Sequence, residues 1–292
     1  MTNALKPIGY GKKILSVEEA LKDLEGYNPP ASPPTPPFTE DDTIKDEPPS
    51  GTDSFGIGDI VLNDKDNIEF KDLVTPDGLW DVITLAGTQY QQDASGKGAV
   101  KTYAQHIAHS NVANCDFHIT PSRIRYAMMR GAFKLRNVKG QKTKDAINVV
   151  KACFVKDGNN PWQHNAEKIV YTAGQSALIT TNGWPKGHPF ATNYTLALSG
   201  TSPVEIDKGC GLDQILKSLV GDPSPERVKE IMEWYYKPSS AITRLYRGNV
   251  DCAGKRVVVF GVDYGGAVIY ASVDSRRPAR GVNADAKNFH RK

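Results

Sequence analysis

The spacing of apolar residues predicts helices in the second quarter and the middle of the chain. Residues 79–86 and 99–109 carry apolar side chains three and four positions apart, which is typical of core helices. Ser122 follows a proline and opens an amphipathic stretch that ends at Arg136, the third predicted helix. Residues 145–155 leave two possibilities open, because their β-branched side chains favour a strand and their apolar spacing favours a helix.

The next part of the chain has a weaker pattern. Residues 158–208 are rich in Gly, Asn and Thr, and we expect loops there, with short elements around Ile169 and Leu196. Residues 212–219 form the next predicted helix, and Ser224-Pro225-Glu226 is a start signal for another.

A β pattern appears only near the end of the chain. The apolar, β-branched runs 256–262 and 267–273 flank a turn with two glycines, which predicts a β-hairpin. The expected fold class is therefore α+β: a mostly helical body with a C-terminal β-hairpin, preceded by a disordered, Pro-rich, acidic arm.

The N-terminal arm is predicted from residues 1–56. A capping pattern from Ser16 to Glu19, with Gly26 after it, predicts a short helix over 17–25. Residues 29–49 contain eight prolines, which favour an extended linker. Between Pro29 and Asp72, eleven acidic residues against three lysines give a net charge of −8. We expect a single folded body over 57–275 and a basic tail over 276–292.

Targeting signals and cysteine usage indicate the compartment. The chain has no run of 18 apolar residues and no apolar segment typical of a signal peptide near its start. Its four cysteines are widely spaced without a Cys-x-x-Cys pair, which favours reduced thiols. We therefore expect a protein of the cytoplasm or a virion that is neither secreted nor bound to a membrane.

The overall net charge of +3 conceals two basic segments. Residues 120–156 hold ten Lys or Arg against one Asp, a net +9, and residues 276–292 hold six against one, a net +5. On a helix over 122–136, two stripes of cations flank aromatic side chains, an arrangement that suits phosphates and stacked bases of single-stranded nucleic acid. The candidate nucleic-acid-binding residues are Arg123, Arg125, Tyr126, Arg130, Phe133, Lys134, Arg136, Lys139, Lys142, Lys144, Arg276, Arg277 and Arg280. The alternative is a packed helix whose arginines reach solvent at its edges.

A second cluster has the donor atoms of a zinc site. His106, His109, Cys115 and His118 could bind a tetrahedral zinc ion, although two solvent-facing histidines explain the helical pair equally well. No motif of a hydrolase, nucleotide-binding loop or metalloprotease occurs. We therefore predict no catalytic residues and, apart from this weak zinc candidate, no cofactor.

A stiff loop over residues 183–189 presents Trp184 and His188 between two prolines. It suits either a binding site or a tryptophan that anchors the loop to the core.

The layout resembles that of viral coat and nucleocapsid proteins: about 30 kDa, a mobile arm, a basic groove in a helical body and a basic tail. No family motif accompanies this resemblance. It implies a non-enzymatic structural protein that coats single-stranded nucleic acid, RNA in particular, as a self-associating multimer. Two other interpretations remain: a zinc-dependent or thiol enzyme at the histidine and cysteine cluster, and an adaptor that binds a protein through the N-terminal helix and proline segment.

Overall fold

The computed structural model describes residues 55–63, 65–87, 100–112, 115–155, 163–172, 176–197, 212–235, 243–245, 255–263, 266–272 and 276–291. All of them belong to the unit Ser50–Lys292, one of two units into which the chain divides. The predicted helix over 17–25 and the proline-rich linker lie outside the described residues.

Twelve strands form two sheets in this part of the chain. The strands are β1 (Asp59–Leu62), β2 (Ile68–Thr75), β3 (Gly78–Leu85), β4 (His118–Ile119), β5 (Gln163–Thr172), β6 (Ser176–Thr181), β7 (Asn193–Ala197), β8 (Thr243–Leu245), β9 (Lys255–Asp263), β10 (Gly266–Ser272), β11 (Gly281–Asn283) and β12 (Phe289–Arg291). Sheet 1 has the order β1-β2-β3-β11-β4, with β12 also paired to β3, and is antiparallel throughout. Sheet 2 has the order β7-β6-β5-β9-β10-β8, in which only the β8–β10 pair is parallel.

Five α-helices accompany the sheets among the described residues: α1 (Tyr103–Ser110), α2 (Ser122–Lys134), α3 (Gln141–Val155), α4 (Leu212–Leu219) and α5 (Pro225–Tyr235). They confirm the helices predicted over 122–136 and 212–219 and the one that follows Ser224, and they settle 145–155 as helical. The hairpin predicted near the end of the chain is β9 and β10.

The prediction of a mostly helical body was wrong, because two six-stranded sheets make up much of the described chain. The clearest error is 79–86, predicted as a helix and found as β3. In β2 and in β3, the alternation of buried and exposed residues shifts by one position in the middle of the strand. Phe70 and Leu73 are therefore buried three positions apart, and so are Trp80 and Ile83. The backbone of Asp72, with φ of 51°, lies at this change of face. A strand that changes face has buried residues at spacing three, which imitates a helix.

The range 158–208, where loops with short elements around Ile169 and Leu196 were expected, was only partly predicted: those two elements are strands, but the first has ten residues and β6 was missed. This range contains β5, β6 and β7, which form half of sheet 2. The polar composition misled the prediction, because β5 is buried at polar residues as well as apolar ones: Gln163, His164, Asn165 and Glu167 are all buried. Gln163 and Asn165 accept hydrogen bonds from Arg125, and Glu167 accepts from Ser122, partners that local composition does not reveal.

Helix α2 lies in the core, where it packs against β2, β5, α3 and α5. Its residues from Ser122 to Ala132 are buried with the exception of Arg123. Apolar side chains of α2, α3 and the two sheets form one buried cluster that includes Phe70, Met128 and Phe154. A helix covered on several sides exposes only its ends, and this decides which of its cations reach solvent.

The segment expected to be a basic tail is part of sheet 1 over the residues described. Residues 276–291 contribute β11 and β12, and β12 pairs with β3 from Phe289 opposite Trp80. The rings of these two residues are 4.7 Å apart. Paired backbone and packed rings hold this segment in the fold, although its composition is polar and basic.

Candidate nucleic-acid interface

Two arginines of α2 are buried and bonded inside the chain. The Arg125 guanidinium donates to the side-chain oxygens of Gln163 and Asn165 on β5 and lies 4.9 Å from the centre of the Phe154 ring. Arg130 pairs with Asp222 at 2.5 Å, where the two side chains are 4% and 2% exposed. Cations in these positions neutralise or satisfy buried polar groups, so they do not contact a nucleic acid in this conformation.

Tyr126 belongs to the same buried network. Its hydroxyl donates to the Asp222 carboxylate at 2.8 Å, and burial, followed by the charge of Asp222, raises the pKa of Tyr126. The ring packs edge-on against Phe55 at 5.7 Å. This tyrosine is a packing residue and is not available to stack on a base.

The remaining arginines named from the sequence differ in exposure. Arg123 forms a forked contact with the carboxylate of Asp77, both distances being 2.8 Å, and also donates to the Lys217 carbonyl. Arg280 is buried and donates to the Cys153 carbonyl at 2.9 Å. Arg277 is half-buried and its backbone pairs with Lys101, whereas Arg276 is exposed. Of these four arginines, only Arg276 is exposed.

Four other exposed cations among the candidates lie at the connection between α2 and α3. Residues 134–144, which we call the basic connection, contain Lys134, Arg136, Lys139, Lys142 and Lys144 and no acidic residue. The four lysines are exposed and Arg136 is half-buried. Lys134 also donates to the Phe55 carbonyl at 2.8 Å. Most of the exposed cations of the predicted site are therefore concentrated in this connection.

Two half-buried aromatic rings adjoin the basic connection. Phe133 and Trp234, which we call the ring pair, meet edge to face with centroids 5.6 Å apart. The Arg136 guanidinium lies 3.7 Å from the centre of the Phe133 ring, and the Lys151 ammonium lies 4.0 Å from the centre of the Trp234 ring. Burial lowers the pKa of Lys151. The result is a row of cation, ring, ring and cation that joins α2, α3 and α5.

Two acidic side chains lie on the helices that carry Lys151 and Trp234. Asp145 accepts from Gln141 on the first turn of α3, and Glu233 lies 3.8 Å from Lys229 on α5. The sequence could have located the connection by its lack of acidic residues, but Trp234 and Lys151 join it only through helix packing.

The proposed zinc ligands do not converge. The ring of His106 is buried and its Nε2 donates to the Arg277 carbonyl at 2.9 Å, whereas Nδ1 of His118 bonds the Gly183 carbonyl at 2.8 Å. The Cys115 thiol donates to the Phe117 carbonyl, and burial lowers the pKa of His109. Across the ranges that the structure describes, no three His, Cys, Asp or Glu side chains are grouped closely enough to hold a metal ion.

Trp184 anchors the stiff loop at 183–189 to the core. Trp184 is 8% exposed, its indole N–H donates to the Ile119 carbonyl, and its ring is stacked between those of His118 and His188 at 4.5 Å each. Of the two possibilities that the sequence left open, the geometry favours the anchor.

Glu167 is a buried acid that the sequence did not identify. Its carboxyl group accepts from the backbone N–H and the hydroxyl of Ser122, at 2.7 and 2.5 Å, where α2 begins. Burial raises the pKa of Glu167 to about 7, although these hydrogen bonds and the charge of Arg123 oppose the increase. The side chain lines a cleft with Arg123, Trp80 and Phe190 among its walls. A carboxyl group that titrates near neutral pH can accept or release a proton at the start of α2.

A buried histidine lies three residues before this acid on β5. His164 makes edge contacts with the rings of Tyr103 and His106 at 6.1 and 5.7 Å. Burial, followed by the proximity of His106 and Arg277, lowers the pKa of His164 to about 3. The ring is therefore neutral at physiological pH.

No helix of the described chain combines the length and the apolar composition needed to cross a bilayer. No protein-family model, no curated protein and no solved structure matches this chain.

Proposed function

We propose that this protein is a non-enzymatic structural protein that binds single-stranded nucleic acid, RNA in particular, and does so as a multimer. The observation that supports binding is the basic connection, with five cations and no acidic residue over 134–144, four of them exposed lysines. Phosphate contacts by such lysines supply affinity that does not depend on base sequence. The proposal of a multimer rests on the layout of the sequence.

The proposed contact surface differs from the groove predicted on α2. Arg125, Tyr126, Arg130 and Arg280 stabilise the fold in this proposal, and the polyanion contacts Lys134, Lys139, Lys142, Lys144 and Arg136 instead. Flexible lysines around Gly140 suit a backbone of variable path, because each ammonium can follow a phosphate independently.

Salt dependence of binding tests the proposal. If five cations each contact a phosphate, log K for a single strand falls with log[salt] with a slope of about −3.5, and affinity decreases roughly a hundredfold between 50 and 200 mM salt. Replacing Lys139, Lys142 and Lys144 with Gln would leave about two contacts and reduce the slope to about −1.4. Fluorescence anisotropy with a labelled 20-nucleotide RNA measures both quantities.

The matched control replaces the exposed Lys65, Lys71 and Lys287 with Gln, which changes the net charge equally at sites outside the basic connection. We expect this control to keep most of the wild-type slope. Equal slopes for the two triple variants, or no binding by the wild type at 50 mM salt, would contradict the proposal. Size-exclusion chromatography of protein purified without nuclease, with the ratio of absorbance at 260 and 280 nm, tests the multimer and its nucleic-acid content together.

The enzyme and adaptor interpretations gain no support here. The His and Cys side chains of the first do not converge, and the N-terminal segment of the second lies outside the described residues.

A further inference from the structure

The ring pair beside the basic connection places two aromatic rings next to exposed lysines, and attraction of phosphates does not require such rings. Phe133 and Trp234 are large and half-buried, and each has a cation over one ring face. On a surface that only attracted phosphates, lysines alone would suffice, since a phosphate contact does not need an aromatic side chain.

We infer that Phe133 and Trp234 stack on nucleobases, and that Arg136 and Lys151 move from the rings to the flanking phosphates when a strand binds. This inference rests on the proposed function and specifies its partner as a strand with unpaired bases. The bases of a duplex are stacked on one another, so their faces are not accessible to Trp234.

The contacts in the free protein suit such an exchange. The cation above each ring occupies the face that a base would use, at 3.7 Å for Arg136 and 4.0 Å for Lys151. A base over the ring replaces the cation–ring attraction with base stacking, and the displaced cation then lies within reach of the phosphate attached to that base. Lys151 contributes to this step because it is close to Trp234, although it is outside the basic connection.

The ring pair is also held in position by packing behind it. The neighbouring residue Tyr235 is buried, with its hydroxyl donating to the Met129 carbonyl on α2 at 3.1 Å. Its ring meets Trp234 edge to face at 4.8 Å. A stacking ring fixed by the core has less conformational entropy to lose on binding, which favours affinity.

The test compares Trp234→Leu with the wild type on three probes: a 20-nucleotide single-stranded RNA, the corresponding RNA duplex, and a heparin fragment as a polyanion without bases. Loss of one stacked base lowers affinity by about 5- to 150-fold. We expect this loss for the single strand alone, with an unchanged salt slope, because no phosphate contact is removed.

Two further variants separate stacking from folding. Trp234→Phe keeps a ring and should recover most of the affinity for the single strand. The urea midpoint of Trp234→Leu tests whether the variant is folded under the binding conditions. Affinities are compared only if it is folded under those conditions. If Trp234→Leu is unfolded, Lys151→Met provides the test, and we expect it to reduce the salt slope for the single strand by about 0.7, the contribution of one phosphate.

The outcomes distinguish the two proposals. If the wild type binds none of the probes, the proposed function fails and this inference fails with it. If the wild type binds but Trp234→Leu weakens all three probes equally, or none, the stacking inference is overturned while the proposed function stands. An unchanged slope for Lys151→Met overturns it in the same way.

Discussion

Asp222 is the residue on which the buried ion pair of α2 depends. Its Oδ2 atom is contacted by Arg130 at 2.5 Å and by the Tyr126 hydroxyl at 2.8 Å, with Arg227 at 3.4 Å. Its other oxygen, Oδ1, accepts from the Ser224 backbone N–H at 3.1 Å. One carboxylate thus joins the middle of α2 to the start of α5.

We expect Asp222→Asn to destabilise the protein by about 3 kcal/mol. Breaking a buried ion pair by removal of one partner costs about 3–5 kcal/mol, because the other charge stays buried without compensation. The lower end of this range applies, since the amide oxygen of Asn still accepts one hydrogen bond. Domains of this kind unfold with about 5–15 kcal/mol, so the loss is a large share of the total.

Urea unfolding at pH 7, analysed by linear extrapolation, measures the change in the free energy of unfolding. Asp77→Asn is the matched control, because Asp77 also pairs with an arginine of α2, but the side chains of Arg123 and Asp77 are 14% and 49% exposed. An exposed pair contributes about 0–1 kcal/mol. If Asp222→Asn cost no more than Asp77→Asn, the structural role assigned to Arg130 would be refuted.

Two other predictions concern stability. Because the pKa of Glu167 rises from its usual 4.5 to about 7 on folding, this group favours the folded state most below pH 4.5, and that advantage is lost as pH rises to 7. The loss is about 3 kcal/mol, and Glu167→Gln should remove it. The urea midpoints of the variant at pH 5 and pH 8 should then differ less than those of the wild type. An identical pH dependence of the two proteins would exclude Glu167 as the cause of the loss. Gly183 and Gly187 both have positive φ, 81° and 87°, but an added Cβ meets Ile119 and Ser110 at 3.0 Å only at Gly183. Gly187→Ala should cost about 1 kcal/mol and Gly183→Ala about 1–3 kcal/mol more, measured by thermal unfolding, and equal costs would show that the crowding is relieved cheaply.

The net charge of a segment of this sequence does not show which of its cations are exposed. The net +9 of residues 120–156 suggested one continuous binding surface. In the structure, Arg125 and Arg130 compensate polar groups of β5 and of the turn before α5, whereas the four exposed lysines lie at the end of α2, in the connection after it and in the first turn of α3. Charge density along the sequence therefore showed where cations are concentrated, whereas burial decided which of them are exposed.

The sequence by itself determined the elements whose signals are local. The start of α5 at Ser224-Pro225 follows from capping chemistry, because the Ser224 hydroxyl accepts from the Arg227 N–H. The β9–β10 hairpin follows from two β-branched runs around a turn with two glycines. Helix α2 was predicted to within two residues of its end.

Only the tertiary structure decided the rest. Strand β3 could not be distinguished from a helix, since its change of buried face depends on pairing with β2. The roles of Arg130, Glu167 and Trp234 depend on Asp222, Ser122 and Phe133, each from another element. Periodicity along a chain records that one side of an element is buried, but the groups that cover that side come from distant residues. Those groups decide whether a cation or a carboxyl group stabilises the fold or remains free to bind.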